Sequence, residues 1–311
     1  MKLAVVTAVF NPQRYKRRYE LFRLFTKHIA DSGADLFVIE HAFGDRPFVI
    51  TEANNPFHHQ IRSRDEWFMK EALLQILVER LPPEYGYVAS VDADILFNRE
   101  NWASETVEML QHYPVVQMFS QAANLAPDGR IIQLWNSFGW SYQQRLPFLP
   151  GARDYTYWHP GFAWAYRRDF LAQIGLMDRL ALGSGDHHMA ASLIGRVDDT
   201  VHGLASDSVK RYCFEWQERV QQLLRAKGDE LGYVAGLIRH EWHGKFRDRR
   251  YGERWQILID NDFDPYRDLW RGEDGMLHLT DRKPHLRADI RDYLRARNED
   301  SIDYDSREIT V

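Results

Sequence analysis

Two aspartates separated by one residue, Asp92 and Asp94, follow the apolar residues 88–91. Alternate residues of an extended chain project to the same side, so the two carboxylates would point together. Carboxylate oxygens arranged in this way suit a hard divalent cation, and such cations commonly act on phosphate groups. The same D-x-D pattern is also common in solvated turns that bind nothing. The other motifs of the chain must therefore decide between a cation site and a simple turn.

A glycine-rich loop precedes a third acid in the run GSGDHH, residues 183–188. Glycine allows the backbone to approach a ligand closely. Asp186 follows the glycines at the predicted start of a short helix that includes residues 189–193. Aspartate is also a preferred helix N-cap, and capping is the alternative role of Asp186.

Two further segments combine histidine with apolar residues. The run HEWHG covers residues 240–244, and the run HPGFAWAYRR covers residues 159–168. Imidazole and carboxylate together suit Mn²⁺, so a late histidine can complete a metal shell that Asp94 begins. The alternatives are structural histidines in the first run and core packing of a strand in the second.

Strands and helices alternate in the first hundred residues. The patterns predict strands at 3–10, 36–39, 49–51 and 87–91, and helices at 19–30 and 66–81. This order predicts a mostly parallel sheet, in which ligands gather beyond the carboxyl ends of the strands. Asn11, Glu40 and Asp92 fall at such ends.

The second half of the chain is less regular and rich in aromatic residues. Strands are predicted at 115–121 and 162–166, helices at 214–227 and 287–297, and an aromatic loop region at 135–150. Trp135 and Trp140 lie in this loop region and are candidates for a sugar or acceptor pocket, or for simple packing. Trp158 is a further pocket candidate, whereas Trp164 is expected in the core.

Composition restricts the class of protein. The chain has 311 residues with 14% aromatic residues and a net charge of −5, which does not suggest a general nucleic-acid binder. Its single cysteine, Cys213, excludes an intrachain disulfide and favours a reducing cytoplasm. No apolar run approaches the ~18 residues of a membrane span, and the first residues lack a signal-peptide pattern. We therefore expect a soluble cytoplasmic protein.

Taken together, the motifs resemble those of the GT-A glycosyltransferases, specifically the family-2-like and galactosyltransferase-like branches. The resemblance runs through most of residues 1–265 and rests on the order and spacing of five segments. They are NP at 11–12, DAD at 92–94, GFAWA at 161–165, GSGD at 183–186 and WHG at 242–244.

The resemblance implies an α/β GT-A (Rossmann-like) fold whose mostly parallel central sheet is flanked by helices. Residues 1–98 would form the nucleotide-binding half and residues 99–265 the acceptor half. Residues 266–311 would form a C-terminal helical and loop extension that packs on this domain and ends in a mobile acidic tail.

The resemblance also implies a donor site for a nucleotide sugar, with UDP as the default nucleotide and Mn²⁺ or Mg²⁺ as the ion. Asp94 corresponds to the acid that binds the ion directly, Asp92 to its partner at the ribose or the ion, and His243 to a late histidine that completes the site. The other expected nucleotide contacts are Phe10, Asn11, Glu40 and Lys70.

On the acceptor side, Asp186 corresponds to the catalytic base of inverting members, which transfer a hexose to a hydroxyl group. Galactosyltransferase-like members often have Gly-Gly-Glu-Asp where this chain has Gly-Ser-Gly-Asp, so the second acid is missing from the loop. The expected acceptor or sugar contacts are Trp135, Trp158, Gly185 and His187. The motifs do not identify the acceptor, which can be a glycan, a small molecule, a protein or a hydroxymethylated nucleic-acid base.

A run of basic residues follows the late histidines, and its role is open. The run comprises Lys245, Arg247, Arg249, Arg250 and Arg254. It can form a solvated face, contact donor phosphates in a loop that closes over the nucleotide, or bind an acidic acceptor such as nucleic acid.

Two other functions remain in competition. A nucleotidyltransferase of sugar phosphates would also use acidic metal ligands, but it would normally place a glycine-rich phosphate loop after the first strand. That turn reads NPQRY at residues 11–15 and contains no glycine. A catalytically silent carbohydrate-binding protein is the second rival, because a fold alone does not establish activity.

Overall fold

The computed structural model describes residues 2–152, 154, 156–227 and 230–304. The strands are β1 (Lys2–Phe10), β2 (Asp35–Phe43), β3 (His58–Ser63), β4 (Tyr85–Val91), β5 (Ile95–Phe97), β6 (Val115–Gln117), β7 (Gln121–Leu125), β8 (Ile131–Ser137), β9 (Trp158–His159), β10 (Ala163–Arg167), β11 (Leu231–Tyr233), β12 (Leu237–His240), β13 (Leu269–Arg271) and β14 (Leu277–Leu279). The helices are α1 (Lys16–Asp31), α2 (Lys70–Glu79), α3 (Trp102–His112), α4 (Phe138–Gln143), α5 (Arg168–Ile174), α6 (Gly185–Leu193), α7 (Asp207–Lys227), α8 (Glu253–Asp260) and α9 (Pro284–Arg295).

Within these ranges, seven strands form the central sheet in the order β11-β6-β10-β4-β1-β2-β3. Every neighbouring pair is parallel except the two that involve β10, which runs antiparallel to β4 and β6. Successive residues of β1 face opposite sides: Ala4 and Val6 join the core cluster of α2, α5 and α7, and Leu3 and Val5 join that of α1 and α3. The predicted α/β class, with a mostly parallel sheet flanked by helices, is confirmed.

A second sheet brings the D-x-D turn and the late histidines together. Its strand order is β5-β12-β7-β8-β9, and β12 pairs with β5 in antiparallel register. This register sets His240 opposite Ile95, the residue after Asp94. The backbone N–H of Glu241 also donates to the carbonyl of Asp94 at 2.9 Å.

Several predicted boundaries in the first half are wrong. The third strand is β3, and residues 49–51 form no strand because their N–H groups donate to the carboxylate of Glu40 at 2.7–3.0 Å. Glu40 itself lies inside β2 rather than at its end. Helix α2 begins at Lys70, four residues later than predicted, and the predicted strand at 115–121 divides into β6 and β7.

The predicted aromatic loop at 135–150 is also wrong for its first half. Trp135 lies in β8, and Trp140 lies in α4. The hydroxyl of Ser137 caps this helix by accepting the N–H of Trp140 at 3.0 Å. Gly139 in this helix lies against the carbonyl of Gly232, where a Cβ would come within 2.7 Å.

The C-terminal residues pack on the sheet domain. Leu286, Ile290 and Tyr293 of α9 belong to the same core cluster as α2. The carboxylate of Glu299 is 2% exposed and accepts a hydrogen bond from Arg18 at 2.9 Å. The predicted mobility of the acidic tail stays a prediction, and residues 305–311 lie outside the described residues. In the described ranges, no helix is long and apolar enough to cross a membrane.

Candidate active site

One carboxylate and two imidazoles meet beyond the carboxyl end of β4. Potential ligand atoms of Asp94, His240 and His243 all lie within 4.8 Å of one another. The Nε2 atom of His243 is 3.1 Å from Oδ2 of Asp94, and the Nε2 atom of His240 is 3.9 Å from Oδ1. The pairing of β5 with β12 positions all three residues.

The chemistry of this cluster fits a divalent cation. Burial lowers the pKa of His240 well below its usual value and that of His243 to about 4, so both imidazoles are neutral at pH 7 and keep a lone pair. Burial alone would raise the pKa of Asp94, but the hydrogen bond with His243 and the charge of Arg18 outweigh burial and lower the pKa. The Oδ1 atom of Asp94 is buried and lacks a hydrogen-bond partner among the described residues.

His240 is a ligand candidate that the sequence did not single out ahead of His243. Its Nδ1 lies 2.8 Å from the side-chain oxygen of the buried Asn124, which orients the ring and leaves Nε2 facing Asp94. The spacing of three residues between the two histidines was visible in the sequence. Their approach depends on the pairing of β5 with β12, which the sequence did not predict.

Asp92 lies outside this three-residue cluster, although it was expected at the ribose or the ion. Its Oδ1 forms an ion pair with the ammonium of Lys70 at the start of α2. Burial raises the pKa of Asp92 to about 6 despite this pair. Burial would lower the pKa of Lys70, but Asp92, Glu71 and Asp186 outweigh it and raise the pKa. The two aspartates of the D-x-D therefore have different partners.

Asp186 is not the cap of its helix. The N-cap position of α6 is Ser184, in a left-handed conformation with φ of 75° and no side-chain cap hydrogen bond. The Oδ1 atom of Asp186 accepts the N–H of His187 at 2.8 Å, and Oδ2 occupies the space where a Cβ on Gly161 would stand, 2.8 Å away. Burial opposes ionisation, but Lys70 and other nearby cationic groups lower the pKa of Asp186, which keeps it ionised and able to accept a proton.

A row of rings joins the cation cluster to the surroundings of Asp186. His240 stacks on Phe162 with centroids 4.7 Å apart, and Phe162 stacks on His159 at 3.9 Å. His159 in turn lies 6.0 Å from Trp135 and 6.1 Å from Tyr157. Of these rings, only Trp135 was predicted at the acceptor side. His159 and Phe162 belong to the run HPGFAWAYRR, for which core packing was the alternative interpretation.

The remaining acceptor candidates separate into core and site. Trp158 is 5% exposed and packs in the core against Phe138 and Phe148, both at 5.2 Å, and its role as an acceptor contact stays a prediction. His187 lies 6.2 Å from the ring of Tyr157, beside Asp186. Gly185 packs on the carboxyl group of Glu71, which the sequence did not identify.

The predicted nucleotide contacts lie near the carboxyl end of β1. Phe10 meets Phe68 edge to face at 5.2 Å, and a cleft is lined by these rings together with Asn11, Arg18 and Arg297. The side chain of Asn11 closes the turn by bonding to the backbone N–H and C=O of residue 15, at 3.0 and 2.8 Å. Glu40 is not among the residues that line this cleft, and its carboxylate accepts hydrogen bonds from the backbone N–H groups of residues 49–51.

The basic run divides into buried and exposed residues. Arg247 and Arg250 are exposed, whereas Lys245 and Arg249 are buried. An Nη atom of Arg249 lies 3.0 Å from Nε2 of His243, and the guanidinium of Arg254 lies 4.9 Å over the ring of residue 251. Contact with donor phosphates therefore stays a prediction for Arg249 and Arg254. The exposed Arg247 and Arg250 form a solvated face.

No protein-family model matches this chain, and no curated protein matches its sequence. Solved structures do resemble it, and they include glycosyltransferases of the GT-A type, as the motifs predicted. The catalytic domain of Drosophila β1,4-galactosyltransferase 7, in complex with xylobiose, is 14% identical over 75% of this chain and 64% of that chain, with a TM-score of 0.33. Residues 1–349 of TarS from S. aureus are 12% identical over 62% of this chain and 56% of that chain, with a TM-score of 0.37.

A nucleotidyltransferase also appears among these structures. The 4-diphosphocytidyl-2C-methyl-D-erythritol synthase of Anaerococcus prevotii is 11% identical over 76% of this chain and 87% of that chain, with a TM-score of 0.37. By contrast, this chain spans less than two thirds of the length of the galactosyltransferase and TarS structures described above. Such weak likenesses carry no argument about activity, which must come from the site itself.

Proposed function

We propose that this protein is a metal-dependent glycosyltransferase that moves a sugar from a nucleotide sugar, with a UDP-sugar as the first choice, to an acceptor hydroxyl. The observation that carries the proposal is the cluster of Asp94, His240 and His243 at the end of β4. It offers two neutral imidazoles and one carboxylate. This donor set suits Mn²⁺ better than Mg²⁺, which prefers oxygen ligands and retains several waters.

The donor would lie between the cluster and the cleft at β1. When bound, the ion supplies positive charge to the diphosphate as it becomes the leaving group. The cleft formed by Phe10, Phe68 and Asn11 would hold the base and ribose. Arg249 and Arg254 would add positive charge on the other side of the diphosphate, and Lys70 would keep Asp92 oriented at the ribose.

The acceptor would lie along the row of rings beside Asp186. An ionised Asp186 accepts the proton of the incoming hydroxyl while the oxygen attacks the anomeric carbon from the face opposite the diphosphate. This gives inversion of configuration, and such a base typically contributes about 10²–10⁴-fold to the rate. Trp135 and His159 offer flat apolar surfaces on which a sugar acceptor can stack.

The test is a screen of UDP-, GDP- and other nucleotide sugars with Mn²⁺, in which release of the nucleoside diphosphate is measured. We expect release by the wild type, loss with Asp94→Ala, and retained donor binding without transfer with Asp186→Asn. Glu108→Gln, an exposed change on α3, is the matched control and should behave as the wild type. Transfer that survives Asp186→Asn would remove the base assignment. Release of pyrophosphate from a nucleoside triphosphate and a sugar phosphate would instead establish the nucleotidyltransferase.

A further inference from the structure

The carboxyl group of Glu71, on helix α2, lies against Gly185 in the GSGD loop that carries Asp186. We propose that Glu71 receives the proton that Asp186 takes from the acceptor, through a cavity that both residues line. This inference rests on the proposed function, because it assumes that Asp186 is the base. Glu71 does not touch the substrate and acts through Asp186.

Two glycines make room for the two carboxyl groups. A Cβ on Gly185 would stand 2.8 Å from the carboxyl carbon of Glu71, and a Cβ on Gly161 would stand 2.8 Å from Oδ2 of Asp186. Any larger residue at either position would displace the acid next to it. The loop glycines therefore position a pair of acids that come from α2 and α6, although the two are 115 residues apart in the sequence.

A small cavity touches both acids. Its volume is about 20 Å³, and Glu71, Asp186, Lys70, Ser90 and Tyr166 are among the residues that line it, together with apolar residues such as Trp164 and Leu176. This is space for about one water molecule, which needs two to four polar partners to be held in a buried site. A water in this position would accept a hydrogen bond from the protonated carboxyl group of Asp186 and donate one to the carboxylate of Glu71, which is the connection that a proton transfer requires.

The charges around the cavity give the transfer a direction. The titratable groups that face Glu71 are Lys70 of its own helix, Asp92 after β4, Tyr166 of β10 and Asp186 of α6. Burial raises the pKa of Glu71 to about 7, with Lys70 opposing the shift and Asp186 adding to it. The pKa of Asp186 is shifted the other way, so a proton on Asp186 moves downhill to Glu71.

The step balances as a simple proton transfer. Protonated Asp186 gives its proton to the water, and the water gives a proton to ionised Glu71, so that Asp186 is again a carboxylate and Glu71 a neutral acid. Glu71 then loses its proton to solvent before the next cycle. No oxidant, reductant or further reactant is needed.

The experiment compares Glu71→Gln, Glu71→Asp and the control Glu108→Gln in the full chain. We expect Glu71→Gln to lower kcat about tenfold or more, with the KM for the donor unchanged, because only the fate of the proton is affected. The wild-type kcat should fall as the pH drops below about 7, where Glu71 is already protonated, and the Gln variant should lose this limb. Glu71→Asp should restore the limb. An unchanged kcat and pH profile in Glu71→Gln would overturn the relay while leaving the glycosyltransferase proposal intact.

An infrared titration tests the same relation without turnover. Neutral carboxyl groups have a stretching band that carboxylates lack, so the protonation of Glu71 can be followed in the resting protein. The band should titrate near pH 7, be absent from Glu71→Gln, and titrate at lower pH in Asp186→Asn, where the neighbouring negative charge is gone. A titration that is identical in wild type and Asp186→Asn would contradict the coupling of the two acids, whether or not the protein transfers sugar.

Discussion

Glu71→Gln should stabilise the protein relative to the wild type when the pH is raised. The buried Glu71 has a pKa of about 7 in the folded protein, compared with an ordinary value of 4.5. The folded state therefore binds the proton more tightly than the unfolded state. The stability contributed by neutral Glu71 is fully present below pH 4.5 and is lost as the pH rises through 7. Glutamine has the same shape and stays neutral, so the variant avoids this loss.

The shift from 4.5 to about 7 corresponds to about 3 kcal/mol at roughly 1.4 kcal/mol per pKa unit. The wild type should lose about 2 to 3 kcal/mol of this stabilisation between pH 5 and pH 8.5. The assay is urea unfolding of wild type, Glu71→Gln and Glu108→Gln at these two pH values. The difference in the free energy of unfolding between Glu71→Gln and the wild type should be about 2 to 3 kcal/mol larger at pH 8.5 than at pH 5. Equal differences at both pH values would refute the buried, proton-binding state of Glu71.

Three further predictions concern the site. Gly161→Ala should lower kcat about a hundredfold, because a methyl group 2.8 Å from Oδ2 of Asp186 must displace the base. The control is Gly203→Ala, whose added methyl group would meet no atom within 4 Å. Equal rates for the two variants would contradict the prediction. Arg249→Gln should bind Mn²⁺ alone more tightly, because it removes a cation 3.0 Å from Nε2 of His243, and calorimetry should show an increase in affinity. The same variant should bind UDP with Mn²⁺ more weakly than the wild type, and unchanged UDP affinity would exclude Arg249 from the diphosphate site.

The alternation of strands and helices in the first hundred residues was sufficient to predict the parallel half of the sheet. Strands β1, β2 and β4 are short apolar runs that are buried on both faces, and such runs have few other ways to fold. Residues 49–51 looked equally strand-like. Their hydrogen bonds go to the carboxylate of Glu40, which is a tertiary partner that no local pattern reveals.

The candidate site was predictable only in the position of Asp92 and Asp94 after β4, because one segment carries both residues. It was not predictable where distant segments meet. The approach of His240 to Asp94 follows from the pairing of β5 with β12, two short strands separated by more than a hundred residues. The position of Glu71 beside Gly185 depends on the approach of α2 to the start of α6, which no local pattern predicts. The sequence showed only that the loop lacks a second acid.

The central claim is that a divalent cation held by Asp94, His240 and His243 binds the diphosphate of a nucleotide sugar. Calorimetric titration of UDP into the protein, with and without Mn²⁺, tests it most directly, with GDP, CDP and ADP as alternative nucleotides. We predict binding of one of these nucleotides that requires Mn²⁺ and is abolished by Asp94→Ala, with the Glu108→Gln control unchanged. Binding of equal affinity in the absence of Mn²⁺, or no binding of any of the four nucleotides in its presence, would contradict the claim.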